Sequence, residues 1–152
     1  MTRRPDLEQM SLRDFDEVWH GRDLSAIFDI YRPGYRGNGF PVVGSVTRTG
    51  YRFLAGLFLL TFPDIEFHIH ELDSADAYVF TQWTFTATHT GRPFGLPASG
   101  ASVRVDGKGL HRYAEGRVDE TWLTMDWTGL FRQLAGGYRD RLRASFDRIP
   151  LR

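Results

Sequence analysis

A chain of 152 residues without cysteine is one domain of ordinary size whose core must hold without disulfides, and it can offer neither a cysteine nucleophile nor a thiolate metal site. Its 19 Lys plus Arg balance 19 Asp plus Glu, so the broad basic field that phosphate-backbone binding requires is missing, and no nucleic-acid partner is expected. Twelve Phe, six Tyr and four Trp suffice both to fill a core and to line a pocket.

The first ten residues carry Arg3 and Arg4 but no apolar run of signal-peptide length. The greasiest stretch, Phe53 to Leu60, is far shorter than the roughly 20 residues a membrane helix needs. A cytoplasmic protein with no membrane partner is expected. Lys108 is the only lysine, a bias of GC-rich bacterial genomes rather than of chemistry.

Phe15, Val18 and Trp19 share one helical face, and Asp23 is placed to cap a second segment with Leu24, Ile27, Phe28 and Tyr31 at helical spacing. Pro33, Gly34, Gly37, Gly39 and Pro41 mark Tyr31 to Val43 as a loop. From Ser45 the pattern is helical again, with Phe53, Leu54, Leu57 and Leu60 facing inward, until Pro63 stops it. The period then falls to two. Ile65, Phe67 and Ile69 alternate with Glu66, His68 and His70, and Ala77 to His89 puts Val79, Thr81, Trp83, Phe85, Ala87 and His89 on one side. Strands follow at Ala101 to Tyr113 and Arg117 to Trp127, joined at Glu115-Gly116, and Thr128 to Leu134 reads as a short helix. Helices followed by hairpin-linked strands predict an α+β fold with an antiparallel sheet. The domain spans residues 1–135, and 136–152 form an appended amphipathic tail with Tyr138, Leu142 and Phe146 in one stripe.

Gly109-Leu110-His111-Arg112-Tyr113, Glu115-Gly116-Arg117-Val118, Glu120-Thr121-Trp122 and Asp126, followed by Gln133-Leu134-Ala135, resemble the closing hairpin and short helix of the SnoaL-like polyketide cyclases, within the nuclear transport factor 2-like superfamily. Thr88-His89-Thr90-Gly91, Gly95 to Gly100, and Phe62-Pro63-Asp64 resemble further stretches of that family. The pattern departs at Ser99, at Ala135 and at Tyr35 to Asn38. The resemblance implies a cone-shaped curved sheet wrapped around N-terminal helices, a hydrophobic pocket inside and a homodimer through the outer face. The face carrying Leu123, Met125 and Trp127 is expected to be covered by that partner.

Alternation puts Trp122, Thr124 and Asp126 on one face of the last strand, and the resemblance makes Asp126 the catalytic acid/base; the other reading is a cap on the following helix. His111, on the neighbouring strand, is expected to reach the same ligand and either polarise a carbonyl or hold Asp126. Trp19, Tyr31, Trp83, Trp122 and Thr124 complete the expected substrate-binding set. Glu66, His68 and His70 stand on one strand face, but three ligands along a single strand at roughly 6.6 Å spacing between alternates cannot meet one ion, so no metal is expected without a ligand such as His89 from elsewhere. The expected function is aldol-type acid/base chemistry on a small hydrophobic carbonyl substrate without cofactor. The alternatives are a small-molecule-binding protein of the same fold, or a hydrolase or dehydratase relative.

Overall fold

The computed structural model describes residues 1–40 and 43–150. Pro5, which has no N–H to lose, opens α1 (Pro5–Arg13). The chain runs on without a break into a π-helical segment, Asp14–His20, whose wide turn closes with Gly21 N donating to Asp16 O at 2.8 Å. Phe15 and Val18 are buried, as their spacing predicts. Asp23 does act as a cap, accepting from Ser25 N at 3.0 Å, but it opens only a 3₁₀ turn (Leu24–Ala26) and one turn of α2 (Ile27–Ile30).

The stretch dense in Pro and Gly is a strand, not a loop. β1 (Tyr31–Phe40) forms an antiparallel hairpin with β2 (Gly44–Thr47) and lies parallel to β6 (Arg117–Met125). Its pairing with β6 skips from Tyr31↔Val118 to Arg36↔Glu120. Pro33 and Gly34 therefore fall where the ladder asks nothing of them. Pro41 lies outside the described residues.

Thr47 caps α3 (Arg48–Thr61) through its hydroxyl, which accepts from Gly50 N, and the helix ends just before Pro63. Its inward face is turned from the expected one. Tyr51, Ala55 and Leu59 are buried and Leu54 and Leu57 face the interior, whereas Phe53 and Leu60 are 61% and 65% exposed. Apolar residues surround this helix, so spacing alone admits more than one stripe.

Four strands follow as predicted: β3 (Glu66–Ala75), β4 (Tyr78–Thr88), β5 (Ser102–Ala114) and β6. The sheet order is β2-β1-β6-β5-β4-β3, a curved, unclosed sheet around the N-terminal helices and α3, antiparallel except at β1/β6. Val79, Thr81, Trp83, Phe85, Ala87 and His89 all point inward and are buried.

On β6 the alternation is as predicted and its sense is reversed. Tyr113 pairs with Val118 but Arg112 with Glu120, so the strand carries a bulge at Asp119. A one-residue slip exchanges the two faces of everything beyond it. Thr121, Leu123 and Met125 consequently face the interior, and Trp122, Thr124 and Asp126 the outer surface. The expectation that Asp126, Trp122 and Thr124 line the cavity is corrected, as is the expectation that Leu123, Met125 and Trp127 form the outer patch. Asp126 caps α4 (Trp127–Asp147), its Oδ1 accepting from Gly129 N at 2.8 Å.

α4 is a single helix that runs straight through Gly136-Gly137. Tyr138 Oη donates to Pro97 O at 2.5 Å and Arg141 donates to Ala98 O, fastening it to the loop before β5. Beyond Arg141 its side chains are exposed, Leu142 and Phe146 included. Among the described residues no helix is long and apolar enough to cross a membrane.

Asn caps a helix as well as Asp does, whereas Ala cannot. Asp126→Asn is expected to leave the urea midpoint of unfolding unchanged and Asp126→Ala to cost about 1 kcal/mol. Equal losses in both variants would show that the carboxylate's charge, not its cap, is what matters.

Candidate active site

Sheet, α1, α3 and the start of α4 enclose a cavity of about 350 Å³. Its two ends differ in chemistry. One is walled by Phe58, Phe62, Phe85, Trp127, Leu130 and Phe131, with Phe131 54% exposed at the lip. The other gathers the polar groups: Asp14 and Ser11 from the N-terminal helix, Tyr31 and Tyr35 from β1, Tyr51 from α3, His111 and Tyr113 from β5, and Thr121 from β6. No Lys or Arg lines it among the described residues.

Asp14 opens the π-helical segment and sits beside the inward-facing, mostly apolar stripe of Leu7, Ser11, Phe15 and Val18. Tyr51 Oη donates to Asp14 Oδ2 at 3.3 Å and accepts from Trp19 Nε1 at 3.2 Å. Asp14 Oδ1 is buried and has no hydrogen-bond partner among the described residues. Burial raises this carboxyl to about 7, opposed by the polar hydrogens of Tyr31, Tyr51 and Trp19. The rings of Tyr31 and Tyr51 lie 4.9 Å apart and those of Tyr31 and Tyr35 4.7 Å apart. Burial pushes all three phenols far above their ordinary value, so they stay neutral and serve as donors.

Two glycines of β5 make room for cavity side chains, Gly109 for His111 and Gly107 for Trp83. A Cβ on Gly109 would come within 2.7 Å of His111 Nε2, and one on Gly107 within 2.3 Å of the Trp83 ring that lies across it. Thr81 Oγ1 donates to Gly109 O at 3.5 Å, which leaves its oxygen to accept from His111 Nε2–H at 3.4 Å; Nδ1 then accepts from Thr121 Oγ1 at 2.9 Å. Burial lowers this imidazole to about 4, so at neutral pH it is an uncharged group with one proton to donate.

Of the predicted set, Trp19, Tyr31, Trp83 and His111 meet in the cavity wall. Trp122, Thr124 and Asp126 do not. Trp122 packs on the outer face beneath the Arg112 guanidinium, 5.7 Å from its ring centre, and His111 is level with Thr121, so Asp126 lies about five residues, or roughly 17 Å, further along β6. His68 and His70 are exposed, His70 pairing with Thr84 Oγ1 at 2.7 Å, while His89 is buried on the other face against Ser99 at 2.8 Å. Asp14, Tyr35 and Tyr51 were not singled out by the sequence. The one available signal was an acidic residue beside an apolar helical stripe.

A curved, unclosed α+β sheet around a largely apolar cavity with a polar end defines the class of small-molecule cavity folds. Within that class, the family model of the SnoaL-like polyketide cyclases matches residues 9–134, and the chain belongs to this family. A candidate SnoaL-like polyketide cyclase from Jannaschia sp. CCS1 is similar at 23% identity and TM-score 0.77, over 89% of this chain and 97% of its own. A candidate polyketide cyclase from Acidithiobacillus ferrooxidans is similar at 24% and 0.74, over 90% and 99%. AclR, a candidate hydroxylase from Streptomyces galilaeus, is similar at 23% and 0.74, over 86% and 85%. No curated protein matches the chain. At these identities the structures establish the fold, and the fold hosts more than one reaction.

The two buried titrating groups set opposite pH dependences. Between about pH 4 and 7 folded Asp14 keeps a proton that the unfolded chain has lost, so its contribution to stability falls as pH rises across that window. Between about 4 and 6.5 folded His111 lacks a proton that the unfolded chain carries, so its contribution grows as pH rises. Relative to wild type, Asp14→Asn should therefore gain stability progressively from pH 4 to 7, and His111→Gln should gain most at pH 4 and little at pH 7. Urea midpoints across this range check it; parallel profiles in the two variants would refute it.

Proposed function

We propose that the protein is an enzyme of the polyketide-cyclase type that binds a neutral, hydrophobic carbonyl compound in the cavity and moves protons on it without a cofactor. The observation that carries this reading is the division of the cavity: an aromatic end for the carbon skeleton, and an end with one carboxyl, one neutral imidazole and four phenols for its oxygens. Intramolecular aldol chemistry needs a proton acceptor and donors for the developing oxyanion, and both kinds of group are present. The long bond from His111 Nε2–H to Thr81 is one that a substrate carbonyl can displace. With no cation among the described residues of the wall, a free carboxylate or phosphate on the buried part of a ligand would be desolvated without a partner. An ester or ketone at that point incurs no such penalty.

The outer sheet face supports a homodimer. Phe80, Leu110 and Trp122 are paired across β4, β5 and β6 and point outward as an apolar row. On this reading sedimentation at micromolar concentration gives twice the 17.5 kDa chain mass, and Trp122→Glu gives the monomer. A wild-type monomer refutes it.

The function is tested by thermal melting with polycyclic aromatic polyketides as methyl esters and as the matching free acids, followed by product analysis. At 100-fold excess over Kd an ester should stabilise by about 2.7 kcal/mol, worth roughly 5–10 °C for a domain of this size. Trp83→Ala should reduce the shift. Preference for the free acids, or binding without any isomeric or dehydrated product, would overturn the reading, the latter in favour of a binding protein.

A further inference from the structure

Asp14 is the cavity's one carboxylate among the described residues, and the hydrogen bonds of the fold account for only half of it. Tyr51 has a single proton, committed to Oδ2 at 3.3 Å, and Trp19 holds the Tyr51 oxygen from behind at 3.2 Å. Among the described residues no salt bridge reaches Asp14. A carboxyl buried for structure is expected to have both oxygens bonded, because a bare buried acceptor costs stability. The residue also opens a π-helical segment, and such widened turns recur where a helix presents a functional side chain. The inward positions of β6, where the acid was expected, are Thr121, Leu123 and Met125, none of which can exchange a proton at neutral pH.

We propose that Asp14 is the proton-transfer residue of this cavity, acting through Oδ1, with Tyr51 a positioning residue that holds Oδ2; the assignment rests on the acid/base reading above. In the first step the C–H bond α to a substrate carbonyl breaks, the proton goes to Oδ1, and the electron pair forms the enolate, its oxygen receiving a hydrogen bond from a neighbouring phenol or from His111. The enolate carbon then bonds to the acceptor carbonyl carbon, whose π pair moves to oxygen. That alkoxide takes the proton back from Oδ1, which restores the carboxylate. A carboxylate is a weak base for a simple ketone, so the substrate class is a carbon acid activated on both sides, a neutral 1,3-dicarbonyl compound. Burial places the group's titration near neutrality, where it can both take and return the proton.

The test uses 5-nitrobenzisoxazole, a neutral aromatic whose ring opens when a base removes its C–H proton as the N–O bond breaks, releasing a coloured phenolate. Wild type should open it with kcat/KM rising with pH through an inflection near 7. Asp14→Asn, confirmed folded by circular dichroism, should lose about 10²–10⁴-fold, the usual contribution of a general base. Asp16→Asn, on the exposed side of the same segment, should stay within about twofold of wild type. Tyr51→Phe should retain activity but move the inflection to higher pH, because a donor to the charged carboxylate is gone. Equal rates in wild type and Asp14→Asn, at any level, overturn the proposal, as does an inflection below pH 5. The broader reading fails separately, in the melting assay with neutral esters, where Asp14→Asn should bind as wild type does.

Discussion

Tyr113 pairs with Val118 and Arg112 with Glu120, and the residue left over between them decides what the cavity contains. Without that bulge, alternation carried on from inward-facing Val118 would turn Glu120, Trp122, Thr124 and Asp126 into the interior and expel Thr121, Leu123 and Met125. Glu120 and Asp126 would then join Asp14 in a low-dielectric space with no cation among its described lining residues. The bulge leaves Asp119 in the surface network of Arg32 and Arg112, with Glu120 beside it bonded to Arg112 and Asn38. It also lets Leu123 and Met125 fill the wall beside α4. The same irregularity faces β1, whose own pairing with β6 skips at this level and so accommodates Pro33 and Gly34. One extra residue thus sets the sense of β6, the tolerance of β1 for its breakers and the apolar character of the cavity.

Within that apolar wall Asp14 carries a cost that nothing nearby offsets fully. A rise from 3.8 to about 7 corresponds to a penalty on the order of 4 kcal/mol for holding the ionised form, an appreciable share of the stability of a domain. Replacing the carboxyl with an amide or an apolar side chain would relieve it. Tyr31, Tyr51 and Trp19 reduce the penalty but leave Oδ1 without a hydrogen-bond partner among the described residues, an arrangement suited to a group whose second bond is supplied by a ligand. His111 is treated differently: both of its nitrogens have a threonine partner that orients the ring, and burial keeps it neutral.

The elements with strict alternation were legible in the sequence, as were the buried faces of β3 and β4 and the helix-to-strand junction at Pro63, because period and breaker agree there. The closing hairpin carried the family. What could not be read depends on pairing and packing between elements, which the local pattern does not carry. β1 looked like a loop because its glycines and proline are tolerated only by an irregular pairing with β6. The inward face of α3 was ambiguous because the helix is apolar nearly all round. Gly136-Gly137 read as a break, yet Tyr138 and Arg141 anchor the helix beyond it to Pro97 and Ala98. Trp19, Trp83 and His111 reach the cavity because their elements were phased correctly, Tyr31 reaches it as the first residue of β1 rather than on the expected helix, and the other three predicted site residues follow the bulge to the outside.

Family membership and the position of the acid/base group are separate questions in this chain. The resemblance places the acid on the last strand, but here the residue of that motif, Asp126, is held by Gly129 N as a helix cap and faces away from the cavity. What the fold supplies physically is the enclosure: a curved sheet that desolvates whatever its helices present. Any wall of such an enclosure can carry the titrating group, since desolvation depends on the cavity rather than on the element that supplies the side chain. A carboxyl on the N-terminal helix meets that condition here, with phenols from β1 and α3 packed around it. Inward positions filled by Thr121, Leu123 and Met125 on β6 bring no second charge into the same space, and Asp14 titrates there without a like-charged neighbour among the described residues of the wall.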